Sequence, residues 1–206
     1  PFAMGTLVAF IYGTAMFGST YLIPVYLQLG LGLSASHVGT LLLPAGLILA
    51  LTIAIVGRYS STHPTHLMVS FGLVLLALSF ALMLLVNLQT ALWVLVALAI
   101  LGRIGLGFIL PSLNIGAMRG MDSSLIPQGA SAINFLRMLG GSAGVSLCGI
   151  LLEWRLAAHG DSLTNTTLSA ARLAAFDDVF LMLACICALA LWSAWRIRPT
   201  HPDSTA

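Results

Sequence analysis

Lysine is absent from this 206-residue chain: all eight basic residues other than histidine are arginine, and only six acids accompany them. Charged residues make up 7% of the sequence, against about 25% in soluble globular domains. That scarcity excludes a soluble enzyme or binding domain. A net charge of +2 with no basic run excludes a nucleic-acid footprint. Cysteine is sparse too, with Cys148, Cys185 and Cys187 all inside apolar stretches. On a helix Cys185 and Cys187 point about 200° apart, a poor geometry for a disulfide or a metal, so they read as small apolar residues. His37, His63, His66, His159 and His201 fall in connections or at segment ends. No metal-ligand cluster, phosphate-cradling loop or cofactor motif emerges, and the expectation is a protein that is not an enzyme. The start, PFAMGTLVAF, has neither an initiating Met nor a charged leader region. It does not read as a signal peptide, and we expect a cut just before a membrane span of a longer chain.

What is there is apolar: 59% hydrophobic residues and a mean hydropathy of +1.05. Six segments, at 5–28, 36–57, 67–86, 91–115, 128–152 and 175–196, each suit one membrane-crossing helix, for which about 20 residues suffice. The expected fold is an all-α membrane protein, a single transmembrane domain over residues 1–206 surrounded by lipid. Connections are short except Glu153–Ala174. Arg58, Arg119, Arg196 and Arg198 fall on one side, whereas Arg155 and Arg172 on the other are diluted by Glu153, Asp161, Asp177 and Asp178. The first side, with both termini, is therefore expected in the cytoplasm. Asp177 and Asp178 are expected at the start of the last helix, complementing its N-terminal dipole.

The fifth segment organises the rest. Asn134, Arg137, Gly141, Gly144 and Cys148 fall on one helical stripe, with Gly140 beside it and Phe135, Leu136, Leu139 and Leu147 opposite. Small residues permit close helix approach in lipid. An arginine at that depth costs roughly 2.5–3.5 kcal/mol on insertion scales, so it should face protein or water. Gly140-Gly141-Ser142-Ala143-Gly144 also matches the nucleophile-elbow string G-x-S-x-G. That chemistry needs a strand–turn–helix and an activating His and acid, so packing explains the glycines better. Gly18 and Pro24 in the first span are echoed by Gly107 and Pro111 in the fourth. Three spans apart, these helices run in opposite directions, as a 3+3 inverted repeat requires.

Several strings resemble the C-terminal six-helix half of a major facilitator superfamily transporter, most closely its drug:proton antiporter branch with fourteen spans. They are Tyr21–Gln28, Gly102–Asn114, Asn134–Gly141 and Ala175–Phe180. One loop departs from the pattern: where the superfamily has roughly G-x-L-A-D-R-x-G-R, this chain reads Gly57-Arg58-Tyr59-Ser60-Ser61-Thr62-His63-Pro64-Thr65. Ser61 stands for the acid and Thr62 for a base, which puts a charge latch there in doubt.

Arg103 sits about twelve residues from either end of the fourth span, near the midplane, and shares a face with Gly107, Leu110 and Asn114. It is a candidate cavity cation or a structural arginine bonded to carbonyls. Tyr12, Met16, Ser19, Ile23 and Tyr26 form a stripe suited to stacking on varied aromatic compounds, or to plain helix packing. The candidate substrate cavity is therefore Arg103, Asn114, Tyr12, Met16, Ser19 and Tyr26. Asn134, Arg137, Gly140, Gly141, Gly144, Pro24 and Pro111 are assigned to packing or gating. No Asp or Glu lies deep in any span, so a proton-carrying carboxylate is missing from this half. The resemblance implies multidrug efflux from the inner membrane by alternating access, coupled to protons and completed by a missing N-terminal half, with a drug-like amphipathic substrate. The alternatives are an inactive truncated fragment or assembly partner, or half of an uptake transporter for an anionic metabolite.

Overall fold

A computed structural model describes residues 2–196, excluding the side chains of Phe2, Ser193, Trp195 and Arg196. Arg196, Arg198 and His201, used above for orientation and chemistry, therefore lie outside the described side chains. The described residues form six helices: α1 (Phe2–Val25), α2 (Ala35–Tyr59), α3 (Thr65–Met83), α4 (Leu92–Met118), α5 (Ile126–Ala158) and α6 (Ala170–Arg196). All six are long and apolar enough to cross a membrane, and no strand occurs among the described residues.

Boundaries shift where local chemistry outweighs hydropathy. Pro24 is inside α1, and the next residues, Tyr26–Gly30, continue as a π-helical turn. Pro111, its counterpart in α4, leaves an uninterrupted α-helix to Met118. Ser34 caps α2 by accepting from the His37 N–H at 3.3 Å. Helix α3 stops at Met83 rather than Val86, because Leu84, Leu85 and Val86 donate to carbonyls three residues back. Helices α4 and α5 are followed by Gly120 and Gly160 at φ 77° and 70°, the left-handed region that glycine adopts without strain. The long connection expected over Glu153–Ala174 is much shorter, since α5 runs to Ala158 and α6 begins at Ala170.

That early start of α6 corrects the reading of two acids. The Ser169 hydroxyl accepts from the Arg172 N–H and caps the helix, so Asp177 and Asp178 lie two turns inside it. Asp178 pairs with Arg155 of α5 instead of serving the helix dipole.

The helices pack as two exchanged triplets. Helix α1 lies along α5 as α4 lies along α2; α3 and α6 pack on each other; α3 packs on α4 where α6 packs on α1. Exchanging the first three helices for the last three reproduces these pairings, as the inverted repeat requires. Helix α5 also packs on α6 and α4, without a counterpart of like extent between α2 and its neighbours α3 and α1. The matched glycines follow it: a Cβ on Gly18 would sit 3.2 Å from the Cys148 Sγ of α5, and one on Gly107 would sit 2.6 Å from the Thr52 side chain of α2.

The core is continuous through all six helices, with Leu22, Leu73, Phe80, Ile109, Leu152, Phe176 and Phe180 essentially inaccessible. The outward row Leu43, Leu47, Leu51 and Ile55 on α2 is exposed among the described residues, as are Phe135, Met138 and Leu139 on α5. In a membrane protein such residues meet lipid or another helical layer.

Candidate functional site

Helices α1 and α5 set the level of everything else, because they touch backbone to backbone. A Cβ on Gly13 would fall on the carbonyl of Arg137, and one on Gly140 on the carbonyl of Phe10. On Gly144 it would lie 2.5 Å from the Thr14 carbonyl oxygen, and on Gly141 it would strike the Phe17 ring. The Thr14 hydroxyl reaches both helices, bonding to the Phe10 carbonyl at 3.1 Å and the Gly140 carbonyl at 3.0 Å. Cys148 is buried on the same face. Ser142, at the centre of the G-x-S-x-G string, is exposed and donates to the Met138 carbonyl within its own helix. No strand–turn–helix surrounds it.

One helical step from that contact, α5 turns Ala130, Ile133, Asn134 and Arg137 toward Leu110, Asn114 and Met118 of α4. Together they enclose a groove of about 310 Å³. The Asn134 side-chain oxygen accepts from Arg137 at 2.7 Å, which holds the guanidinium along the wall. Asn114 is exposed on the opposite wall. Two asparagines and an arginine foreseen from sequence thus meet in one place. Ala130, Ile133 and Met118 complete the groove with apolar surface that carries no distinctive pattern.

Arg103 lies elsewhere on α4 and reaches across to α1. Both terminal nitrogens approach the Thr20 hydroxyl oxygen at 3.4 Å, while that hydroxyl donates to Met16 O at 2.7 Å. These are long contacts, at the outer edge of hydrogen bonding. Gly107 does not accompany Arg103, because it is taken up by Thr52 of α2. Tyr12 is buried, with its hydroxyl lacking a hydrogen-bond partner, and it lies within electrostatic reach of Arg137 and Arg103. Sequence reasoning missed Thr20, which appears only once Arg103 is seen to cross between helices.

The rest of the first-span stripe divides. Met16 is half-buried, whereas Ser19 and Tyr26 are in the core. Ser19 donates to the Met16 carbonyl, and Tyr26 stacks edge-on against Phe176 and Phe180 of α6, with centroids at 5.2 and 5.3 Å. Neither lines the α4–α5 groove, so the structure places them in helix packing.

At one end of the bundle, Arg119 donates to the carbonyls of Ser60, Ser61 and His63 at 3.0, 3.1 and 3.5 Å. The α2–α3 loop, whose side chains lack the expected acid and base, is held through its main chain. At the other end Arg172 is fully buried, which its placement as a loop cation did not foresee. It donates to both Asp161 oxygens and to the carbonyls of Leu29, Ser162 and Asn165. The guanidinium holds the Asp161 carboxyl well below its usual range, at about 2, aided by donors from Ser162 and Asn165.

No group of three or more His, Cys, Asp or Glu side chains suited to a metal occurs among the described residues. The groove can offer donors and apolar surface. It presents no activated nucleophile and no acid–base pair.

Known proteins extend this picture. The chain is 26% identical over 164 residues to the multidrug transporter protein MdtP of Bacillus subtilis, covering 80% of this chain and 30% of that one. It is 30% identical over 167 residues to the multidrug export protein EmrB of Haemophilus influenzae, covering 80% and 32%. With the lincomycin resistance protein LmrB of Listeria innocua it shares 23% over 146 residues, 71% and 31%. The chain thus spans about a third of the length of these relatives. Residues 1–145 match the Major Facilitator Superfamily as a family. With six helices packed as exchanged triplets and an all-α, multi-pass architecture, this chain belongs to the Major Facilitator Superfamily.

Proposed function

We propose that this chain is the C-terminal six-helix half of a multidrug-type efflux transporter of the inner membrane. It works by alternating access against a second helical half and holds both termini in the cytoplasm. The observation that carries the reading is the polar face built into an otherwise apolar bundle. Arg103, Arg137, Asn114 and Asn134 come from α4 and α5 and stay unmatched by any carboxylate among the described residues. Cations within membrane spans mark substrate or ion pathways when they face a cavity, and Arg103 and Arg137 are both half-buried. The relatives named for multidrug export and drug resistance support efflux over uptake. Proton coupling is assigned to the partner half, because no described acid lies near the middle of a helix here: Asp122 and Asp161 are in connections, and Glu153, Asp177 and Asp178 are within about two turns of a helix end.

The test is efflux from cells carrying the complete transporter, at matched membrane levels of each variant. Arg103→Ala should reduce efflux strongly with the protein still inserted. Arg103→Lys should recover only part, since lysine keeps the charge and loses the planar fork. Wild-type efflux from Arg103→Ala would remove the residue from the pathway, and loss of the protein from the membrane would make it a folding residue. Purified alone and reconstituted, the 206-residue chain should move no substrate against a gradient.

A further inference from the structure

The groove between α4 and α5 sets three polar side chains, Asn114, Asn134 and Arg137, among four apolar ones, Leu110, Met118, Ala130 and Ile133. At about 310 Å³ it has the size of a small ligand pocket, and pockets of this kind hold a few polar groups in apolar walls. One contact sorts its polar groups. Arg137 donates from Nη2 to the Asn134 Oδ1 at 2.7 Å. A guanidinium can only donate, so the Asn134 atom it meets is the oxygen. With that oxygen committed to a charged donor, the Asn134 amide has its two N–H bonds to offer. Arg137 carries five N–H bonds and no acceptor, and the contact to Asn134 takes up one of them. The polar part of the α5 wall is therefore a donor surface, and Asn114 brings a second amide from the α4 wall. The oxygen that Arg137 already holds belongs to a neutral amide carbonyl, which is a sample of the atom this wall accepts. Resting on the transport reading above, we infer that the groove selects uncharged carbonyl compounds: a compact apolar body carrying a ketone, ester or amide oxygen. That oxygen is taken by Arg137 and the Asn134 NH2, and the body lies on Leu110, Met118 and Ile133.

Bonds from a charged donor are about twice as strong as those between neutral groups. A ligand of the same outline without the oxygen would lay apolar surface over donors, and a donor shut off without a partner costs more than a made bond gains. An ammonium brings N–H bonds of its own, so it would compete with Arg137 for the Asn134 oxygen and meet a like charge beside it. Ala130 leaves room for the body, and Met118 adapts to its outline. The groove therefore reads the oxygen more closely than the rings.

The experiment uses the full chain in phosphatidylcholine nanodiscs, with empty discs dialysed in parallel to subtract partition into lipid. The probes are 9-fluorenone, fluorene and protonated 9-aminofluorene, which share one ring system and differ at one position. Fluorenone should bind at least about tenfold more tightly than either of the others, a gap of about 1.4 kcal/mol. Its infrared C=O stretch should move to lower wavenumber than in empty discs, the signature of an accepted hydrogen bond. Arg137→Met should remove most of the preference and return the stretch to its empty-disc position. Asn134→Asp replaces the NH2 by a carboxylate that pairs with Arg137, so fluorenone binding should fall severalfold while ammonium binding rises. Helix content by circular dichroism and a monodisperse elution profile must match the parent chain. If Arg137→Met fails that check, Asn134→Asp carries the test. Equal or tighter binding of fluorene or of the ammonium by the parent chain overturns the inference, as does a fluorenone preference that the variants leave intact. Fluorenone bound as expected, with no probe exported by the complete transporter, would defeat the transport reading alone. Export of the ammonium with fluorenone unbound would defeat only this inference.

Discussion

Helix pairs α1–α5 and α2–α4 occupy equivalent places in the two triplets, yet they are built differently. In α1–α5 the glycines are at the contact on both sides, and main chain meets main chain at Gly13, Gly140 and Gly144. In α2–α4 the close glycine approach is Gly107 against the Thr52 side chain. The glycines of α2 itself, Gly39, Gly46 and Gly57, face open space. One pair is fixed by backbones with nowhere to move. The other rests on side chains that can rotate, and α2 keeps a long apolar row exposed among the described residues. Equivalent position in a repeat thus does not impose equal rigidity; the placement of small residues does.

The largest effect that would break this contrast comes from adding bulk to the fixed pair. Gly140→Leu or Gly13→Leu should abolish the folded protein in detergent, because the obstruction is a carbonyl rather than a flexible side chain. Overpacking usually costs about 1–3 kcal/mol and more when the backbone must shift. A monodisperse, thermally stable Gly140→Leu would show that α1 and α5 are less tightly joined than their contacts imply.

Next comes the clasp joining α6 to the end of α1. Arg172→Met should destabilise by about 3–5 kcal/mol, since it leaves Asp161 without its cation; thermal unfolding in detergent would measure it. Asp161→Asn should cost less, because the three carbonyls still receive the guanidinium. The pH dependence follows the same contact. A carboxyl lowered to about 2 from 3.8 stabilises the fold fully above about pH 4. That stability is lost as pH falls through 2, and Asp161→Asn should flatten this limb of the unfolding profile.

Thr14→Val keeps the shape and removes the hydroxyl bridging Phe10 and Gly140, for an expected loss of about 0.6 kcal/mol, the mean for interhelical bonds in membranes. Least of all, Gly46→Ala should be neutral or stabilising by up to about 1 kcal/mol, from helix propensity in open space. Marked destabilisation by Gly46→Ala would show that α2 is packed against something on that side and would erase the contrast.

How much of this was legible in the sequence depends on the length scale of the signal. Six helices follow from runs of apolar residues long enough to dominate any local preference. The α5 stripe was legible because glycine spacing and helix period agree, and the groove gathered Asn114, Asn134 and Arg137 because their offsets put them on facing walls. Arg172 was not legible. Its neighbours read as a polar connection, and only the return of that connection to Leu29 O buries the guanidinium. Tyr26 was assigned to a cavity on the strength of one helix's period. The π turn after Pro24 and the aromatic pair on α6 direct it into the core instead. Helical period identifies which residues share a face, but a partner distant in sequence decides what that face meets.

The grip of Arg119 on the α2–α3 loop has a consequence for how this sequence can drift. Its acceptors are the carbonyl oxygens of Ser60, Ser61 and His63, which every amino acid supplies. Codons 61 to 63 can therefore change with little penalty to the tether, provided the turn keeps its shape. The mutational burden that an acid–base latch would share among several positions is concentrated on residue 119. Exchanges at Ser61 should be silent in a growth-based selection where changes at Arg119 are purged, whereas Thr62, whose hydroxyl bonds the Tyr59 carbonyl and the His63 ring, helps to keep the turn's shape. A loop tethered through its main chain is in this sense more tolerant of mutation, and Arg119, which tethers it, is less so.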